Sequence, residues 1–476
     1  MPETKFLFTC IILSIKISFT CKRAGRMYRS IEAKLLEWKS TSKGKTALLI
    51  DGARRVGKSY ICEKFAKEHY KSYIIIDFNI AKSDVLDIFE SYLTDLDTFY
   101  QRLSAWAGVK LFKRESLIIF DEVQEFPKAR AALKYLVADG RFDFIETGSL
   151  MSINKNVKDI IIPSEEVHIK MYPMTFHEFM VALNQEALLD LITDCYQNKK
   201  PLGQALHRKA IDKFRLYMLV GGMPQSVSSY LETEDFNSVD LVKRNILSLY
   251  RADISKHAGA DQLKVKAIFD DIPAQLAKHD RKFRITSLSK HARTRNYEDA
   301  LFWLSDSMIA NFAYNTTDPK IGLKLNMERS TYKCYLADTG LLISHSFDER
   351  GLVKEEVYKK ILFDKLSVNL GMLTENIVAQ MLVACGHKLY FFSNPDRENA
   401  ANRMEIDFLI GGSKITSRHN ISPIEVKSGK NYTLSSLRKF IAKYNDELAC
   451  PYVIHMKDFE VKNNITYLPI YMTELL

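Results

Sequence analysis

The chain has 476 residues, 46% of them hydrophobic and 26% charged. That is more than one hydrophobic core accommodates and excludes a largely disordered protein, so three or four domains are expected. A net charge of +10 favours an anionic partner but does not separate nucleic acid from an ordinary nucleotide-binding surface. Seven cysteines, odd in number and never spaced C-x-x-C, argue against a zinc site and a disulfide framework and read as buried thiols of a reducing compartment.

At the start, residues 6 to 19 (FLFTCIILSIKISF) are apolar, but Lys16 interrupts them and the run is too short to span a bilayer as a helix. Lys5 ahead of an apolar run reads as a signal peptide. The alternative is translation from Met27, where MYRSIEAKLLEW begins an amphipathic helix. The second reading is preferred, which sets residues 1–26 apart as a leader and predicts a cytoplasmic protein with no membrane contact.

Residues 27–178 are predicted to form an α/β domain, because short apolar runs alternate with helical patterns. Strands are expected at 47–51 (ALLID), 73–77 (YIIID), 117–121 (LIIFD), 143–147 (DFIET) and 167–171, covered on both faces by crossover helices. Between the first strand and its helix, Gly52-Ala53-Arg54-Arg55-Val56-Gly57-Lys58-Ser59 fits G-x-x-x-x-G-K-[ST] without a mismatch. Such a loop curls its backbone N–H groups around phosphates, and the helix adds its positive N-terminal end. Lys58 is expected to bridge the β- and γ-phosphates of ATP, and Ser59 to hold Mg²⁺ through its hydroxyl. Asp121, at the carboxyl end of its strand, is expected to accept a Mg²⁺-bound water, with Glu122 polarising the attacking water. This pairing predicts hydrolysis as well as binding. Thr147-Gly148-Ser149 either places the Ser149 hydroxyl as a γ-phosphate sensor or is a plain strand-ending turn.

Residues 179–258 read as a helical lid interrupted by Gly221-Gly222-Met223-Pro224. Residues 259–340 read as a winged helix. A helix at 263–276 and a second through Trp303 to Met308 are expected, with Thr286 and Asn296 as N-caps. Strands at 309–314 and 331–337 flank a polar loop, as a wing does. The segment Lys278 to Arg295 holds Lys278, Arg281, Lys282, Arg284, Lys290, Arg293 and Arg295 against one acid, Asp280. It is either a DNA phosphate-contacting surface or a solvated face.

Residues 341–476 are predicted to place a helix at 372–384 before strands at 389–393, 405–410 and 421–427. A helix at 435–444 and strands near Tyr452 and Tyr467 follow. In Pro423-Ile424-Glu425-Val426-Lys427, alternation sends Glu425 and Lys427 to one face. Asp407 on the neighbouring strand can join Glu425 around a divalent cation, Lys427 can orient a water, and Glu375 is a further ligand or a polar anchor. Helix, Asp-bearing strand and E-x-K strand in this order resemble the PD-(D/E)XK nuclease core. An active nuclease, an inactive DNA-binding relative and an unrelated sheet all remain open. The eleven histidines show no metal-binding spacing.

The ordered set GARRVGKS, LIIFDEVQEFP, ETGS, MYPMTFHEF, GGMP and YLADTGLL resembles a large bacterial and archaeal family of AAA-type ATPases with a C-terminal domain of unknown function. The resemblance runs from about Met27 to the end. It implies ATP and Mg²⁺ as ligands and a C-terminal domain related to the nuclease core. One departure stands out. Between Ser149 and Met171 the chain has Lys155, Lys158 and Lys170 but no arginine, which puts a trans-acting arginine finger in doubt. Two functional readings follow: an ATP-driven switch acting on DNA, or a regulatory switch whose C-terminal domain docks a protein partner.

Overall fold

The computed structural model describes residues 27–148, 165–278, 280–289, 292–320, 322–347, 355–362, 370–396, 398–399, 402–412, 419–429 and 431–476. Five parallel strands, β1 (Ala47–Asp51), β2 (Ser72–Asp77), β3 (Ser116–Asp121), β4 (Asp143–Gly148) and β5 (Glu166–Lys170), lie in the order β2-β3-β4-β1-β5. Every residue of β1, β3 and β4 is buried, which is why these segments read as continuous apolar runs. All carboxyl ends therefore meet on one edge, with β1 flanked by β4 and β5.

Five helices follow: Phe176–Ala182, Glu186–Gln197, Gln204–Val220, Pro224–Thr233 and Phe236–His257. Thr175 and Glu178 cap the first reciprocally, and Asp235 caps the last by accepting from the N–H groups of Asn237 and Ser238. The break at 221–223 has a tertiary cause. Gly221 is left-handed at φ 83°, and its backbone packs directly on Gly340 at the start of the helix Thr339–Ser346. Asp338 ties the joint by accepting from Gly222 N (2.6 Å) and Leu341 N (2.8 Å). The motifs GGMP and DTGLL are thus the two halves of one contact. A Cβ on Gly340 would sit 2.5 Å from the Gly221 Cα, so Gly340→Ala is expected to lower stability by about 1–3 kcal/mol or more in chemical denaturation.

Beyond the lid, helices Gln262–Leu276 and Glu298–Asp306 precede the hairpin β6 (Ala310–Thr316) and β7 (Met327–Leu336). Three expectations change here. Thr286 sits inside a short 3₁₀ turn, Ile285–Ser287, and the helix from Glu298 starts after Tyr297 with no side-chain cap, so neither Thr286 nor Asn296 is an N-cap. The hairpin is not a free wing, because β6 also pairs in parallel with β8 (Tyr390–Asn394). It forms the rim of an eight-stranded sheet, β12-β13-β11-β10-β9-β8-β6-β7, with β9 at Met404–Gly411, β10 at Ile421–Lys427, β11 at Tyr452–His455, β12 at Glu460–Lys462 and β13 at Ile465–Pro469. The boundary expected between residues 340 and 341 falls inside the helix Thr339–Ser346. Helices Leu370–Ala384 and Ser435–Tyr444 pack on the sheet.

Cys62, Cys195 and Cys334 are buried, whereas Cys385 is exposed, contrary to the buried-thiol reading. Among the described residues no helix is long and apolar enough to cross a membrane.

Candidate functional site

The loop after β1 is shaped by two close approaches. Gly52 passes against the carbonyl of Met171, whose N–H donates to Asp51 O at 2.7 Å. Gly57 adopts φ 98° before the helix Lys58–His69, a left-handed conformation that favours glycine. Lys58, only 6% exposed, donates to Gly52 O (2.8 Å) and Ala53 O (3.3 Å) within the loop. Asp121, also 6% exposed, gathers two hydroxyls: Ser59 Oγ at 3.0 Å and Thr147 Oγ1. Burial pushes its carboxyl above the usual aspartate range, with the Thr147 and Ser59 hydrogen bonds acting in the opposite sense. Glu122 follows in a left-handed conformation, its N–H donating to Thr147 Oγ1 (3.3 Å) and its carboxylate accepting from Gln124 Nε2. Oxygen donors from the loop and β3 thus converge at the mouth of a cavity of about 610 Å³, whose far wall is Pro224, Gln225 and Ser228 of the lid. A hydroxyl beside a carboxylate is a hard-oxygen set, the chemistry Mg²⁺ selects.

Three family models match consecutive parts of the chain. Residues 44–180 match one described as AAA domain, residues 211–350 a domain of unknown function (DUF8612) and residues 370–473 a domain of unknown function (DUF4143). Residues 44–180 carry the AAA-type P-loop fold. No curated protein matches the chain. Among solved structures, the chain is similar to Aeropyrum pernix Orc1 in complex with DNA, at 12% identity and TM-score 0.26 over 71% of this chain and 93% of that one. It is also similar to the Thermotoga maritima RuvB Holliday junction branch migration motor, at 11% identity and TM-score 0.29 over 70% and 93%. A third likeness is to Cdc6p from Pyrobaculum aerophilum, at 11% identity and TM-score 0.25 over 73% and 97%.

Several groups at the AAA site escaped the sequence reading. Arg29 is buried and clasps three segments: it donates to Val56 O in the loop (2.7 Å), to Tyr172 O after β5 (2.6 Å) and to Glu178 of the lid (3.0 Å). No spacing rule links residues 27 and 149 positions apart, so nothing local announces it. Arg54 pairs with Asp253 of the lid helix, and Tyr250 donates to Arg54 O at 3.2 Å. Burial raises Asp253 above the usual aspartate range while Arg54 opposes the rise. Thr147 carries its hydroxyl to Asp121. Ser149 lies outside the described residues.

At the C-terminal site the expected residues lie together with further charged side chains. Alternation does put Glu425 and Lys427 together, at 2.6 Å, and Asp407 accepts from Val426 N at 2.8 Å. However, Lys333 of β7, 1% exposed, projects among the carboxylates, 3.1 Å from Glu375, 3.2 Å from Glu405 and 3.8 Å from Asp407. Arg281 pairs with Glu375, which also accepts from Tyr335 Oη at 2.6 Å. Lys282 reaches Glu405 (3.2 Å) and Ser393 Oγ (2.7 Å). The expected cation position at Asp407 and Glu425 thus lies within an ion-pair cluster, with Lys333 beside Asp407 and Lys427 beside Glu425. Among the described residues no group of three or more His, Cys, Asp or Glu could hold a metal. Glu375 is a buried anchor in this cluster.

Burial and neighbouring Asp407 push Glu425 up to about 8, despite Lys427. An acid raised this way adds stability below its ordinary value of 4.5 and loses it as pH rises through about 8. Between about pH 5 and about pH 9 the Tm of Glu425→Gln is therefore expected to fall less than that of wild type.

The basic segment is divided. Arg281 and Lys282 face this cluster, Arg284 pairs with Asp280, and Lys278 donates to Gln275 (2.9 Å). Lys278, Arg284, Arg293 and Arg295 are exposed, and Lys290 lies outside the described residues.

Proposed function

We propose that the chain is a Mg-ATP-hydrolysing switch, with the AAA site reading nucleotide and the lid passing that state to the C-terminal half. The convergence of Ser59, Thr147 and Glu122 around Asp121, at the root of the loop that holds Lys58, carries this reading. Bound Mg²⁺, held by Ser59 and Asp121, would neutralise phosphate charge. Lys58 exchanges its loop carbonyls for phosphate oxygens, Thr147 keeps Asp121 in place, and Glu122, held by Gln124, takes the proton of the attacking water. Arg54 and Asp253 give the lid a direct grip on the phosphate loop, so closure over nucleotide and movement of the lid are one event. The Gly221–Gly340 joint carries that movement into the eight-stranded sheet.

Nucleic acid is the proposed anionic partner, supported by the net charge and by the four exposed basic residues Lys278, Arg284, Arg293 and Arg295. Nuclease chemistry is not part of this reading. Calorimetry with Mg-ATP tests the foundation: wild type is expected to bind and Lys58→Ala to lose binding. Four phosphate contacts predict that DNA affinity falls by about a hundredfold between about 50 and 200 mM salt. No heat with Mg-ATP overturns the whole reading. DNA affinity that is absent at low salt overturns the partner and leaves protein docking in its place.

A further inference from the structure

On the other side of β5 from the nucleotide cavity lies a second hollow of about 470 Å³, between the end of β5, the β6–β7 hairpin and the helix Leu370–Ala384. Its size falls within the range of small-molecule sites. None of the residues assigned above to phosphate or water chemistry lines it. Its floor is apolar, made by Met308, Ala310, Phe312, Met381 and Leu389, all buried. Methionines and a phenylalanine of this kind adapt to flat or flexible hydrocarbon.

The rim is positively charged. Lys170 of β5, Lys324 between β6 and β7 and Lys388 before β8 come from three separate elements, and all lie on the lining. Among the described residues none of the three ion-pairs with a carboxylate, whereas Lys256, Lys282 and Lys333 do. The single carboxylate on the described lining, Glu474, is committed elsewhere. Its oxygens accept the N–H groups of Phe176 (2.5 Å) and His177 (3.0 Å) at the start of a lid helix. Tyr172, Asn311 and Tyr314 add hydrogen-bonding groups to the same wall. An apolar floor beneath unpaired ammonium groups selects a molecule with both characters.

We propose that this cavity binds a small organic anion with an apolar body, its acidic group held by Lys170, Lys324 and Lys388 and its hydrocarbon part on the methionine-rich floor. Carboxylates, sulfonates and phosphates share the required chemistry. The wall is one residue from the phosphate loop's support, since the carbonyl of Tyr172 is the one Arg29 holds together with Val56.

The test is a fluorescence titration of the full chain with 8-anilinonaphthalene-1-sulfonate, beside the neutral dye N-phenyl-1-naphthylamine. Saturable enhancement is expected in wild type. Ala384→Trp, which fills the hollow from a half-buried lining position, is expected to weaken the anionic dye by about tenfold. The exposed pair Lys170→Glu and Lys388→Glu is expected to weaken the anionic dye by about tenfold and the neutral dye by less than about twofold. Competition by 1-naphthoate and 1-naphthyl phosphate then separates carboxylate from phosphate preference. Far-UV circular dichroism confirms that each variant is folded. Identical titrations of wild type and Ala384→Trp, equal loss of both dyes in the charge variant, or displacement by neither competitor overturns the proposal.

Discussion

Glu122→Gln is expected to lower phosphate release by about 10²–10⁴-fold while leaving Mg-ATP affinity within about twofold. The size of the loss follows from the role: an amide keeps the shape and the hydrogen bond with Gln124 but cannot take a proton. Affinity is spared because the loop, Lys58, Ser59 and Asp121 are untouched, and the Glu122 backbone N–H still donates to Thr147. Thr147→Val is a useful companion. It removes a hydroxyl from Asp121 and strands the Glu122 N–H, so release and Mg²⁺ dependence are expected to suffer together. Single-turnover measurements with labelled ATP check both. Unchanged phosphate release in Glu122→Gln would remove this residue from the chemistry and leave nucleotide binding without turnover.

The second large effect is structural. Burial works against the Lys333 charge, but Glu375, Glu405 and Asp407 more than compensate and hold it above the usual lysine range. Lys333 and Arg281 in turn hold Glu375 below the usual glutamate range against its own burial. Lys333→Met keeps the side-chain length but strands buried carboxylates, so a loss of about 3–5 kcal/mol is expected in denaturant unfolding. The double variant Lys333→Met with Glu375→Leu replaces the pair by hydrocarbon and is expected to recover part of that loss. The Glu375 carboxyl, depressed in the fold, adds stability above its ordinary value of 4.5 that disappears as pH falls through its lower folded value. In Lys333→Met this acid-side loss is expected to begin at higher pH. If the single variant is as stable as wild type, the cluster is not an anchor.

The first domain was largely legible because its signals are local. Four or five apolar residues make a strand buried on both faces, and a phosphate loop must sit between such a strand and a helix, so Gly52 to Ser59 could be placed before any contact was known. Helix breaking at Gly221-Gly222 was equally plain. Its reason was not, since the partner glycine is Gly340 and only tertiary packing joins them. The same holds for Arg29, whose three acceptors are spread over the chain. At the C-terminal site, strand alternation correctly paired Glu425 with Lys427, but the decisive residue, Lys333, lies on another strand and reads in sequence as one polar position in a hairpin. Composition misled in the segment from Lys278. Seven like charges suggested one surface, yet Arg281 pairs with buried Glu375 and Lys282 with half-buried Glu405. Cap chemistry at Thr286 and Asn296 failed because those residues lie in 3₁₀ turns, not at a helix start.

The pairing of β6 with β8 has a practical outcome for dissecting the protein. A fragment begun after residue 340 would lose β6 and β7 and leave β8, paired with β9 alone, as an open edge, its unpaired amides and carbonyls beside the apolar side chains of Tyr390, Phe391 and Phe392. Such an edge recruits other copies of itself. Insolubility of that piece would then report a missing neighbour, and a soluble C-terminal half has to begin upstream of Ala310.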